Sequence, residues 1–170
     1  MNIEDTKRIS VYRYPAAYAT EHGELDKYRA SHKANIACKE AIETAIRGSY
    51  HNNQLSKDAA TDVVSRFGAE RVAYVLAVTI RDKDWDGRFS SDNKAWAKSV
   101  PVQENKDSWG HDRNLDFVIS QAHPGLIDLF TTQMRKLEHE QVKERPSVMG
   151  MLQQKISHRT PAKKPQETER

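Results

Sequence analysis

The chain has 170 residues, 37% of them hydrophobic and 30% charged, which fits one domain with a modest core and no dependence on disulfide staples. Its single cysteine, Cys38, excludes an intramolecular disulfide framework and a clustered cysteine metal site, and points to a reducing, cytoplasmic setting. Residues 143–170 hold seven Lys and Arg against three Glu, leaving 20 against 21 elsewhere, so the net charge of +3 belongs to the tail and the body lacks the basic stripe of a nucleic-acid-binding fold.

In chain order, residues 1–10, MNIEDTKRIS, are polar, carry no secretory signal and predict a flexible N-terminus. VYRY, residues 11–14, is β-prone, and Pro15 can open a helical turn through Ala16, Ala17, Tyr18 and Ala19 that Gly23 stops. From Glu24 to Arg47 there is no Gly or Pro, and Leu25, Tyr28, His32, Asn35, Ile36, Ile42 and Ile46 recur at helical spacing. This long helix is expected to stop at Gly48, with SYHNNQL as a loop. Ser56 caps a third helix to Arg66, with Ala59, Val63 and Phe67 on one face. The β-branched residues of AERVAYVLAVTIR favour a strand, but Val72, Val75, Leu76, Thr79 and Ile80 obey the i, i+3, i+4 rule and decide for helix.

SSDNKAWAKS predicts a short helix capped by Ser91 or Asp92, with Trp96 facing inward and Pro101 ending it. After a polar loop over residues 102–111, helical spacing resumes from Asn114 to Gln121 through Leu115, Val118 and Ile119. The last predicted helix, residues 125–142, carries the stripe Leu126, Leu129, Phe130, Met134 and Leu137. Beyond Val142, Pro146, Pro161 and Pro165 among many charges predict a largely disordered basic tail, residues 143–170, with a short helix at 146–156. The expected fold is therefore all-α, a compact, bundle-like multi-helix domain over residues 11–142. No apolar run approaches the roughly 20 residues that span a bilayer, so no membrane partner is expected.

The stretch Asp82 to Asn93, DKDWDGRFSSDN, resembles a calcium loop over its first nine positions, with Asp82, Asp84 and Asp86 at positions 1, 3 and 5, Gly87 at 6 and Phe89 at 8. Position 12 is Asn93, where such loops place a bidentate Glu, and an amide offers one neutral oxygen. The preferred reading is a tight Asp86-Gly87 turn that sets Trp85 and Phe89 into the core while Asp86 or Arg88 bonds to nearby groups. No cofactor is implied.

His32, Asn35 and Cys38 recur every three residues along the long helix, and a Cys with a His suggests nucleophilic chemistry. Six residues of helix separate the pair by about 9 Å along the axis, so a structural role for this polar face is the simpler reading. The other histidines lack metal-ligand spacing, and phosphate-loop, dinucleotide and serine-nucleophile fingerprints are missing from the sequence. Trp109, in a polar loop, is a candidate surface residue.

The phrases YRYPAAYA, GELDKYRASHKANIACKEAI, GAERVAYVLAVTI and KDWDGRFSSDNKAWA resemble an uncharacterised bacterial domain family, over about residues 10–138. That family is associated with integrative conjugative elements and phages of anaerobic Gram-positive bacteria, beside antirestriction-type modules. The resemblance implies a role in the transfer or survival of mobile DNA and carries no catalytic residues with it. The first expectation is a counter-defence binding protein of the anti-CRISPR kind, a stoichiometric inhibitor of a host nuclease or ribonucleoprotein, acting through a face around Trp85, Asp86, Arg88 and Asn93. An enzyme on nucleic acid or nucleotide, with His32, Cys38, Asp84 and Asp86 brought together by folding, is the alternative. A third is an accessory protein of conjugative transfer that docks through residues 145–156, and the basic tail offers a nucleic acid contact.

Overall fold

A computed structural model describes residues 3–102 and 116–144. Among them the regular structure is seven helices and one two-stranded hairpin, so the fold is all-α in class. The chain divides into two units, residues 1–137 and 138–170, and described residues of the second end at Glu144. Trp109, residues 114–115, the predicted helix at 146–156 and the tail beyond Glu144 lie outside the described residues.

Helix α1 (Ile3–Arg8) stands where a flexible N-terminus is predicted; its Thr6 is buried, and the helix packs on α4 (Ala59–Phe67). Helix α2 (Ala16–Glu21) follows Pro15, whose φ of −63° and missing N–H suit a helix start. Gly23, at φ +66°, turns the chain into α3 (Leu25–Ser49). The buried face of α3, Ser31, Ala34, Asn35, Cys38, Ile42, Glu43 and Ile46, keeps the predicted helical spacing but includes three polar residues that need partners.

SYHNNQL is a hairpin rather than a loop: β1 (Tyr50–His51) pairs antiparallel with β2 (Gln54–Leu55). Asn52 and Asn53, at φ 51° and 61°, supply the two left-handed residues that a two-residue turn of matching twist requires. Helix α4 passes through Gly68, at φ 84° and ψ 148°, directly into α5 (Ala69–Asp82). That backbone region is open to glycine almost alone, which allows two helices to meet without a linker.

Helix α5 is the centre of the fold. Residues 71–80 are all buried, and the helix packs against α3, α4 and α6 (Ser91–Ser99). A helix apolar on every side belongs inside, and its β-branched run reflects that environment rather than a strand. Each of its buried Leu, Ile and Val side chains contributes about 1.5–3 kcal/mol by leaving water. Ser90, rather than the predicted Ser91 or Asp92, caps α6 by accepting from the Asn93 N–H at 3.2 Å. Arg81 of α5 holds the other end of α6, donating to the carbonyls of Ala97 (2.9 Å), Lys98 (2.8 Å) and Val100 (3.0 Å).

Residues 116–121 do not continue the helix predicted from Asn114 to Gln121. Their backbone N–H groups are drawn off by side chains of distant helices. Ile119 donates to Thr79 Oγ1 (3.1 Å), and Ser120 and Gln121 both donate to Glu43 Oε1 (3.1 Å each). Lys83 Nζ donates to the Ile119 carbonyl (2.9 Å) and completes the anchorage. Helix α7 (Pro124–Glu144) sends Ile127, Phe130 and Met134 into the same core, while Leu129 of the predicted stripe is 49% exposed.

Candidate docking site on the aspartate-rich turn

The turn between α5 and α6 is built by Asp86. Its N–H donates to the Lys83 carbonyl (2.9 Å), and its Oδ1 accepts from the Arg88 N–H (3.0 Å). The Arg88 guanidinium then closes on the same carboxylate, Nε to Oδ1 at 3.0 Å and Nη2 to Oδ2 at 2.7 Å, a two-pronged charge-assisted contact. Asp86 points inward and is 5% exposed, so the residue before it points out: Trp85 is 80% exposed. The expectation that Trp85 and Phe89 both enter the core is corrected by half, since Phe89 alone does. Trp96 is half-buried against the core, with the Arg135 guanidinium 5.8 Å over its ring.

The three aspartates of the calcium-like stretch turn to different surroundings. Asp82 is exposed at the end of α5, Asp84 lies 3.8 Å from Lys98, and Asp86 is taken by Arg88. Among the described residues no three His, Cys, Asp or Glu converge to hold a metal ion. The Arg88 side chain and N–H hold the Asp86 carboxyl down at about 2, below its ordinary 3.8. The resulting stabilisation is present above about pH 4 and is lost as pH falls through about 2. Asp86→Asn is therefore expected to narrow the stability difference between about pH 4 and pH 2 in acid unfolding followed by circular dichroism.

Asn93 is 1% exposed and locks α6 to α7 rather than presenting itself to a partner. Its Nδ2 donates to Asp128 Oδ1 (2.8 Å), the Asp128 carbonyl (3.0 Å) and Thr132 Oγ1 (3.1 Å), and its Oδ1 accepts from Arg135 (2.8 Å). Asp128 Oδ1 also receives the Ser90 N–H (2.9 Å) and hydroxyl (3.1 Å). Of the predicted face Trp85, Asp86, Arg88 and Asn93, two side chains are thus internal fasteners. Trp85 and the outer half of Arg88, whose side chain is 53% exposed, remain at the surface.

His32, Asn35 and Cys38 have separate employment. His32 stacks on Tyr28, meets Phe117 edge-on and lies 3.5 Å from Asp116. Asn35 accepts from Arg71, and Cys38 is fully buried, its thiol pushed up to about 12 by burial. Burial of this kind disfavours the thiolate, the nucleophilic form. Among the described residues His32 faces Asp116, whereas Asp84 and Asp86 pair with Lys98 and Arg88, so these contacts tie the three side chains to other partners.

Sequence reasoning passed over Arg71, 2% exposed inside α5. Its guanidinium donates to the Ser31 carbonyl (3.0 Å), Asn35 Oδ1 and the Ile9 carbonyl (2.7 Å), all neutral acceptors. The signal was in the text: Ser31 and Asn35 lie one turn apart on the inner face of α3 and call for a buried donor. Also missed was a surface ladder of rings, Tyr12, Tyr14, Tyr18 and His22, inside the phrase YRYPAAYA and just after it. A family model described as "Protein of unknown function (DUF3849)" matches residues 11–139. No curated protein and no solved structure matches the chain.

Proposed function

The chain belongs to the DUF3849 family, and on that premise we propose that it is a binding protein that occupies a host nuclease stoichiometrically, with Trp85 as the anchor. The observation that carries the reading is the mounting of Trp85. An indole 80% exposed sits at the apex of a turn fixed from below by the Asp86–Arg88 contact. A turn whose backbone is already fixed loses little freedom on binding, and Trp and Arg are the residues that most often dominate an interface. The choice of a defence nuclease as target rests on the resemblance of KDWDGRFSSDNKAWA to mobile-element modules.

The test is a titration of the protein into cleavage assays of a restriction nuclease and of a CRISPR effector, with gel filtration of the mixtures. Inhibition is expected to saturate near one equivalent with a co-eluting complex. Trp85→Ala is expected to weaken the complex about 30-fold while the helical circular dichroism spectrum is kept. Inhibition that continues far beyond one equivalent, or a Trp85→Ala protein as potent as the parent, overturns the reading.

A further inference from the structure

We propose that the exposed ring stack Tyr14–Tyr18–His22 is a second docking surface, for arginine side chains of a cationic protein segment. The three rings recur every four residues and lie nearly parallel, Tyr14 on Tyr18 at 4.4 Å and 20°, Tyr18 on His22 at 3.8 Å and 19°. Tyr14 is 52% exposed and His22 is exposed, so the stack reaches solvent at both end rings.

The stack is built in rather than incidental. Tyr12 supports Tyr14 edge-on at 5.7 Å, and Tyr12 is itself tied down, its N–H donating to Ser31 Oγ and its hydroxyl to Glu24 Oε2, each at 2.9 Å. His22 Nδ1 lies 2.9 Å from the Tyr18 carbonyl, which fixes the last ring. Flat π faces held in place attract a guanidinium, which stacks on them, more than a compact and strongly hydrated ammonium.

Charge selects among the flat ligands. From Tyr14 to Asp26 the chain carries Glu21, Glu24 and Asp26 and no Lys or Arg. Glu24 is matched by Lys27 at 3.1 Å, whereas Glu21 and Asp26 are exposed with no ion pair among the described residues. Glu21 lies one helical turn after Tyr18 and next to His22. Arg13, the nearest cation before the stack, is turned to Glu70 (2.7 Å), the Pro101 carbonyl (2.9 Å) and the Tyr74 ring. A nucleic acid would bring phosphates against unpaired carboxylates, so an arginine-bearing peptide is the occupant that both ring geometry and charge fit.

Fluorescence anisotropy with labelled alternating Gly-Arg and Gly-Lys peptides of equal length and a labelled oligothymidine, on the full chain, tests this. The Gly-Arg peptide is expected to bind several-fold more tightly than the Gly-Lys peptide. Tyr14→Leu is expected to weaken it about 2–5-fold, with a larger loss in Tyr14→Leu/His22→Leu. Tyr50→Leu, which removes an exposed tyrosine of the hairpin, is expected to leave it unchanged. Equal binding of the two peptides, unchanged binding by a folded double variant, stronger binding of oligothymidine, or no Gly-Arg binding at about 1 mM overturns the proposal.

Discussion

Arg71→Ala is expected to lower the free energy of unfolding by about 3 kcal/mol or more. The side chain is 2% exposed, and its removal leaves a void beside α5 and takes the donor from the Ile9 carbonyl and the Asn35 amide oxygen, while the Ser31 carbonyl keeps its helical partner in α3. Each unsatisfied buried acceptor costs about 1–3 kcal/mol, so the polar loss alone matches the void. Arg71→Lys is expected to recover only part, because one ammonium on a single stem cannot span acceptors on α3 and on the N-terminal segment as a planar fork does. Urea unfolding followed by circular dichroism gives the difference, and in a thermal melt it corresponds to a drop of about 6–12 °C. A loss below about 1 kcal/mol would show that the cation is tolerated rather than required.

Asn93→Leu is expected to cost about 2–4 kcal/mol, although the replacement is apolar, similar in size and placed at a buried position. Asn93 uses both ends of its amide: as donor to Asp128 and Thr132, and as acceptor from Arg135. Leucine leaves a carboxylate and a guanidinium on α7 without their shared bridge. Trp85→Ala, in the turn that leads into α6 and 80% exposed, is expected to change stability by less than about 0.5 kcal/mol, so the pair separates the fastening residue from the presented one. Equal destabilisation by the two substitutions in urea unfolding would contradict this division.

These two positions mark where the sequence was legible and where it was not. Helices α3, α5 and α7 are written in apolar spacing, and Val72, Leu76 and Ile80 carried enough period to outweigh the β-branched content of α5. Val118 and Ile119 mimic the same period in residues 116–121, but the acceptors that hold that backbone, Glu43 and Thr79, are about 40 to 80 residues earlier in the chain and leave no local trace. Arg71 was hidden for a related reason: a charged residue is assigned to the surface unless three separated acceptors are known to converge on it. Asn93 was visible as a departure from the calcium pattern, yet its partners lie on α7. Trp85 was misread because size suggests burial, whereas the bend turns Asp86 and Phe89 inward and leaves Trp85 outside. The proposed binding role of the turn rests on its residue types, and the structure adds which of those residues reach solvent.

The contact between Arg71 and the Ile9 carbonyl bears on where this protein begins as a cooperative object. The family match starts at residue 11, yet the acceptor at residue 9 and the buried Thr6 belong to the same packed interior. Homology boundaries and thermodynamic boundaries therefore differ at this end. A fragment cut at residue 11 would take from the buried Arg71 guanidinium one of the three neutral acceptors that solvate it.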